Sequence, residues 1–351
     1  MSSTRYFLSV CLGAGLFLGS STGGTPVVAA QEDSSRIMVN VVLVQLNIAV
    51  TDNKGRYITG LKPEDFTVYE DKIPEKIATF EEGGEPVRRL VSGPGPNGNT
   101  PQQEGNNNTV AAEPAKPADA DPPKPLSPLA GANVFILFDS SNYMYKGFVF
   151  AQDSIANFIR SLEGVSKLAF YSYSRDLSRA TPLTSDWGLV MSGVRSTVAG
   201  DDAALYNGLL LTVKDAAQLR GRKAIVVFSN GPDNASSVPP EDVAELAQST
   251  GTIIYMVSTQ LAQSDPVSTA VFERMSKATG GKAYFSKNWG DEKKAFASIK
   301  EDLAHLYSIS YYPQANQNRG WRNITVKLVG KDLQKYHVRT RDGYRLRQQT
   351  Q

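Results

Sequence analysis

The chain has 351 residues, 41% of them hydrophobic and 21% charged, with a formal net charge of +2. That is enough apolar material for one or two soluble globular domains with a real core. Opposite charges are interspersed rather than gathered into a basic block, which excludes nucleic acid as the expected partner.

The N-terminus reads as a targeting segment. Arg5 precedes an apolar stretch, roughly Tyr6 to Leu18, and Val28-Ala29-Ala30 offers small residues before a cut at Gln31. Residues 1–30 are therefore expected to be a signal peptide, and the protein to be exported, to the periplasm or beyond the cell. No other stretch is apolar for long enough to cross a bilayer, so no transmembrane span is expected after cleavage. Cys11, the one cysteine, lies in this segment behind the bulky Val10, which argues against lipoprotein processing. A processed chain would then offer no disulfide, thiol nucleophile or thiolate metal ligand.

Residues 38–90 read as a small β-rich unit. Val39 to Val50 is dense in β-branched residues, and Asp52-Asn53-Lys54-Gly55 has the composition of a turn. Phe66 to Glu70 and Lys76 to Phe80 look like two further strands. Such a unit is either a recognition module or a packing domain. Residues 92–130 are then dominated by Pro, Gly, Asn, Gln and Ala. That composition cannot bury enough apolar surface to offset its ordering entropy, so a disordered linker is expected, either a plain insertion or a wall-spanning tether.

From 131 to 306 strand and helix patterns alternate. Val134 to Phe138 is an unbroken apolar run, as in a strand buried on both faces of a parallel sheet. Phe148, Ala151, Ile155, Phe158 and Leu162 recur at helical spacing. Lys167 to Tyr173 is strand-like, Trp187, Val190, Val194 and Val198 mark a second helix, and Leu205, Leu209, Val213 and Ala216 a third. Strands follow at Ala224 to Phe228, Thr252 to Val257 and Lys282 to Phe285. Between and after them come helices at Pro240 to Thr250, at Val267, Val271 and Ala278, and at Phe296 to Leu306. The pattern predicts an α/β fold: a doubly wound, mostly parallel sheet built from right-handed βαβ units.

Residues 307–347 return to strands, at Tyr307 to Tyr312, Ile324 to Val329 and Tyr336 to Thr340. In the last, Tyr336, Val338 and Thr340 alternate with His337, Arg339 and Arg341. The basic face is either a solvated edge that blocks aggregation or a surface for an acidic or glycan partner. A three-stranded sheet with one apolar face needs a cover. The two β-rich flanks are therefore expected to form one β-sandwich, with the α/β unit inserted between them.

Asp139-Ser140-Ser141 stands where the Val134 to Phe138 strand must end. In open α/β sheets ligands collect just beyond the carboxyl ends of strands. A carboxylate and hydroxyls there either hold a hard cation or cap the next turn. Together with Ala204-Leu205-Tyr206 opening a helix and Ser229-Asn230-Gly231 after a strand, this resembles a von Willebrand factor type A domain. The flanks are more specific: Val50-Thr51-Asp52 with Gly55, Gly60 to Phe66, Glu70-Asp71, Ile77 to Phe80, Tyr311-Tyr312-Pro313 and Arg339 to Tyr344. They are similar to the VWFA-related domain proteins common in Acidobacteria, and the resemblance spans Val39 to Arg345 apart from the linker.

The resemblance implies a Rossmann-like domain that binds a protein partner or cell-envelope component, often through a metal-ion-dependent adhesion site. That site uses an Asp-x-Ser-x-Ser loop, a Thr on a second loop and an Asp on a third. Asp139 and Ser141 match the first loop, while Tyr143, Ala203 and Asn230 stand at the other three positions. The implied ligand-binding set is thus Asp139, Ser141, Tyr143, Ala203 and Asn230, with Asp139, Ser141 and Asn230 left as a weak or absent metal site. Asp202 and Asp233 are near in sequence as substitutes. No cofactor is expected, or Mg²⁺ or Ca²⁺ only at low affinity, because a carboxylate and two hydroxyls are missing.

The expected function is an exported protein-interaction module, adhesive or scaffolding, and not an enzyme. The alternative is a structural envelope component without ligand-binding loops. A hydrolase is weaker, because His305 and His337 are the only histidines and neither sits in a nucleophile or zinc motif.

Overall fold

The computed structural model describes residues 43–90, 127–259, 262 and 264–346, all within one compact unit. The expected signal peptide, Val39 to Val42 and most of the expected linker lie outside the described residues.

Before the α/β portion come strands β1 (Val44–Thr51), β2 (Phe66–Glu70), β3 (Ile73–Glu75), β4 (Ile77–Glu82) and β5 (Arg88–Arg89). The α/β portion supplies β6 (Asn133–Asp139), β7 (Lys167–Tyr173), β8 (Leu177–Thr184), β9 (Lys223–Phe228), β10 (Ile253–Thr259) and β11 (Ala283–Ser286). Its helices are α1 (Phe148–Ser161), α2 (Trp187–Ser196), α3 (Leu205–Ala217), α4 (Pro240–Thr250), α5 (Pro266–Ala278) and α6 (Lys293–Ala304). After it come β12 (Tyr307–Tyr311), β13 (Trp321–Leu328), β14 (His337–Arg339) and β15 (Gly343–Arg345).

The central sheet has the order β11-β10-β9-β6-β7-β8 and is parallel except for β8. Its strands alternate their apolar side chains between two cores. Val134, Ile136 and Phe138 face α1, α2 and α6, while Phe135 and Leu137 face α3, α4 and α5. This is the doubly wound α/β class that the sequence predicts. One departure is β8, which folds back on β7 as an antiparallel edge. Its polar sequence and Pro182 suit an edge, where a missing N–H and exposed side chains cost little. Val198 also lies beyond the end of α2 and is 79% exposed, so the second helix is shorter than its apolar spacing suggests.

The flanking strands form two facing sheets, β14-β1-β12-β4-β5 and β15-β13-β2-β3. In each, strands from before and after the α/β portion are hydrogen-bonded neighbours: β1 pairs with β12, and β2 with β13. Between the sheets lies one apolar cluster, with Leu46, Ile48, Val68, Phe80, Tyr307 and Ile309 at its centre. The Phe66 ring sits 5.2 Å from Tyr307 and 5.8 Å from Phe80, bridging the two layers. The expected β-sandwich of the two flanks is thus present. Tyr336 and Val338 do join its core, but β14 does so as a neighbour of β1 in the same sheet, with Val338 opposite Val50.

The turn after β4 lies against both ends of the α/β portion. After β4, Gly83 and Gly84 run so close to other backbone that no side chain fits. A Cβ on Gly83 would lie 2.6 Å from Ala304 O, and one on Gly84 would lie 1.9 Å from Ser127 O.

Where the α/β portion meets the sandwich, its helices arrive by their C-termini. Carbonyls there lack helical partners and the dipole is negative. Strand and loop side chains satisfy them. Arg222 donates to Leu303 O at 2.8 Å in the last turn of α6, and Lys223 to Leu219 O at 3.1 Å just past α3. Asn47 donates to Gly251 O at 3.2 Å after α4, and Arg339 donates to Gly280 O after α5. The other arm of Arg339 reaches Asp302, a fully buried carboxylate on α6. Asp302 also accepts from Tyr57 Oη at 2.6 Å and Tyr255 Oη at 2.7 Å, with Lys282 Nζ 3.8 Å away. Tyr57 and Arg339 belong to the sandwich side, and the other three to the α/β side. The basic face expected along Tyr336 to Thr340 is therefore mostly not at the surface. Arg341 is only 5% exposed and donates to Gln45 O at 2.8 Å, and of the three His337 alone is exposed.

Removing the Arg339 guanidinium from this junction should leave Asp302 with Lys282, 3.8 Å away, as its remaining cation. Arg339→Met is expected to lower stability by about 3 kcal/mol at pH 8, the scale for a buried pair that loses one partner. Urea denaturation reads the quantity. A loss below about 1 kcal/mol would contradict this account of the junction.

Candidate functional site

β6 and β9 run side by side in register, Phe138 opposite Phe228, so the residues that follow them emerge together at the carboxyl edge of the sheet. Asp139 ends β6 with no exposed surface. Its Oδ1 accepts from the Ser141 backbone N–H at 2.9 Å, and its Oδ2 from Ser229 Oγ at 2.8 Å. Ser229 Oγ in turn accepts from Tyr173 Oη at 3.0 Å and from the Gly231 N–H at 3.1 Å. Burial pushes the Asp139 carboxyl above its usual range, against the hydrogen bonds from Ser141 and Ser229. Burial and the neighbouring Asp139 hold the Tyr173 phenol well above its ordinary value. Ser141 is also fully buried, and its Oγ has no partner of hydrogen-bonding geometry.

The other residues expected at the site take different roles. Asn230 is buried, but its Oδ1 points to the end of β10, accepting from Thr259 N–H at 2.8 Å and Thr259 Oγ1 at 2.7 Å. Ala203 is buried and acts through its backbone: its N–H donates to Asn234 Oδ1 at 2.8 Å, and its carbonyl accepts from Asn234 and Ala235. Tyr143 is 36% exposed, and its ring covers Gly231, where an added Cβ would lie 3.1 Å from it. Asp202 is paired with Arg175 at 2.5 Å. Asp233 accepts from Tyr206 N–H at 2.9 Å and Ser236 N–H at 2.8 Å, which caps the start of α3.

These positions decide the fit of a divalent cation. Mg²⁺ takes a near-octahedral shell of oxygens and binds through carboxylates. Here Asp139 has both oxygens engaged, and Asn230 Oδ1 is turned to Thr259. Asp202 and Asp233 are committed elsewhere, and the Ser141 hydroxyl lies beside the Asp139 carboxyl. The residues do not fit the ion. Among the described residues no cluster of three or more His, Cys, Asp or Glu side chains could hold a metal.

Two members of the network, Tyr173 and Ser229, are absent from the sequence-derived set. Both stand, like Asp139, where an apolar strand run ends, and strands paired in register must bring such residues together. That was the signal available for finding them.

Directly after Ser141 the chain makes a 3-10 turn, Asn142–Gly147. Met144 anchors it with no exposed surface, while Tyr143 and Tyr145 (51% exposed) point outward. Asp201 clamps the turn twice, through its carbonyl to Asn142 N–H at 2.8 Å and its carboxylate to Tyr145 Oη at 3.0 Å. Val149 and Phe150 on the first turn of α1 are 63% and 67% exposed.

No protein-family model matches the sequence, and no curated protein matches it. Solved structures do resemble it. A conserved hypothetical protein, BatB from Bacteroides thetaiotaomicron, is 15% identical with a TM-score of 0.42, over 50% of this chain and 98% of the other. The vWF domain of the type V pili tip protein Mfa5 from Porphyromonas gingivalis is 12% identical with a TM-score of 0.42, over 49% and 94%. A von Willebrand factor type A structure from Catenulispora acidiphila is 11% identical with a TM-score of 0.43, over 57% and 63%.

Because the carboxylate and amide oxygens are turned inward, calorimetric titration with Mg²⁺, Ca²⁺ or Mn²⁺ should show no binding tighter than roughly millimolar. Micromolar binding that Asp139→Ala abolishes would overturn this. Ser229→Ala should cost about 1–3 kcal/mol of stability, since it leaves buried groups on Asp139 and Tyr173 without partners. Thermal denaturation checks the second expectation, and an unchanged midpoint would contradict it.

Proposed function

We propose that the protein is an exported, non-enzymatic interaction module, and that it binds a protein partner or envelope component through the loops at the carboxyl edge of its central sheet. Binding there is independent of metal. The observation that carries this reading is the outward row Tyr143, Tyr145, Val149 and Phe150, displayed by a turn that Met144 and Asp201 hold in place. A row of exposed apolar and aromatic side chains on a braced turn favours a contact surface, since aromatic groups supply much of the energy at protein interfaces. Asp139, Ser229 and Tyr173 support the loops from below and do not touch the partner. Export rests on Arg5, the apolar stretch after it and Val28-Ala29-Ala30. The kinship proposed with type A domain proteins carries their adhesion-site positions, here in a form adapted to work without an ion.

The test uses the full chain with a photo-reactive amino acid at Phe150, irradiated in its native envelope fraction. A discrete adduct should form, should be lost on adding Tyr145→Ser and Val149→Ser, and should be missing when the probe stands at Val329, an exposed control. Adducts of equal yield at both positions, or one insensitive to the two substitutions, would remove the basis for this function.

A further inference from the structure

A single acid is packed beneath the aromatic turn. Glu292, at the start of α6, is 1% exposed, and its Oε1 has no hydrogen-bond partner. Its Oε2 lies 3.3 Å from Ser154 Oγ on α1. That hydroxyl is nearer the Trp289 carbonyl, to which it donates at 2.5 Å, so one α1 side chain touches both ends of residues 289–292. The Trp289 indole is 4% exposed, lies 6.2 Å from the Phe228 ring, and has a buried N–H without a partner. It is pressed against Gly147, the last residue of the aromatic turn, where an added Cβ would lie 2.5 Å from the ring. Turn, indole and acid therefore form one packed stack.

The groups that face Glu292 leave its charge unbalanced. From α1 the facing group is the Ser154 hydroxyl, a neutral donor, and from β9 the neighbour is the Phe228 ring by way of Trp289. Asp291 adds a like charge from its own segment. Asp153 on α1 is paired with Arg195 at 2.7 Å, and Lys146, Lys293 and Lys294 are exposed. Burial pushes the Glu292 carboxyl up to about 7, its own backbone N–H and Ser154 pull the other way, and Asp291 adds a smaller push upward.

We propose that Glu292 is a pH-sensitive latch for the aromatic turn: its neutral carboxyl lets residues 289–292 pack under Gly147 and α1, and its ionisation loosens that packing. Its place in regulation rests on the function proposed above, while the latch itself does not. In the closed form the carboxyl titrates near 7, and once opened to water it titrates as an ordinary glutamate, near 4.3. The closed form thus binds the proton more tightly, so closure is favoured in acid. Opening becomes up to about tenfold more populated for each pH unit between those two values, and levels off above.

The experiment follows tryptophan fluorescence and hydrogen exchange of the full chain from pH 5 to 8.5, with exchange corrected for its intrinsic pH dependence. The wild type should show a fluorescence transition with its midpoint near 7. Protection of residues 142–150 should fall across the same range by up to about a hundredfold, two pH units at that slope. Glu292→Gln should abolish the transition and keep residues 142–150 protected at pH 8.5. The proposal is overturned by a flat profile, or by a transition that survives Glu292→Gln. Neither readout needs a partner. Failure of the Phe150 adduct alone would count against the interaction reading, and failure of the titration alone against the latch.

Discussion

The buried carboxylate of Asp302 is the contact on which the architecture turns. A negative charge near the C-terminal end of a helix is repelled by the helix's own carbonyls, and a charge without water is costlier still. Asp302 persists because Arg339, Tyr57, Tyr255 and Lys282 converge on it from four separate stretches of chain. Two of those stretches belong to the sandwich and two to the inserted α/β portion. The arrangement makes the insertion rigid: neither part satisfies this acid alone. Arg222 repeats the logic at the end of the same helix, and Lys223 and Asn47 at the ends of α3 and α4, each placing a donor on carbonyls that no helix can use.

The two edges of the central sheet are accordingly opposite in character. At one edge cations and amides close the helix ends against a second layer. At the other, polar groups are numerous but turned inward. Asp139 and Ser229 bond to each other across adjacent strands, and Asn230 ties β9 to the end of β10. Such closed networks fix loop geometry and hold little in reserve for a solute. Beside exposed polar groups such as Asn142 and Asp201, that edge also offers carbon to water, on Tyr145, Val149 and Phe150.

Much of the fold is legible in the sequence, because its signals are local. The apolar run at Val134 to Phe138, the helical spacing from Phe148 to Leu162, and the closing Gly251 of α4 in left-handed conformation each follow from neighbouring residues. The edge strand β8 is not legible, since Ser178, Arg179, Thr181 and Pro182 read as loop and pair only because β7 lies beside them. Alternation along Tyr336 to Arg341 shows two faces but cannot say whether the polar one meets water or another layer, and here Arg339 and Arg341 meet a layer. At the candidate site, strand ends identify Asp139. The direction of the Asn230 amide depends on Thr259, 29 residues away, and the role of Asp233 on a helix start that precedes it in the chain. Orientation of polar groups is a property of the assembled fold, and spacing does not encode it.

The meeting of Gly84 with Ser127 O bears on how such a chain can change over time. Since the backbone on either side of residues 91–126 is fastened to β4 and the turn after it, Leu90 by its N–H to Ala78 O and Ser127 against Gly84, the length of that stretch does not alter the geometry of the strands around it. Closing a longer loop costs only slightly more entropy, about 0.6 kcal/mol for each doubling. A lineage could therefore lengthen, shorten or replace this stretch with a foreign domain while the sandwich kept its register. The glycine pair, lacking side chains where backbones touch, is what makes that junction a tolerant grafting point.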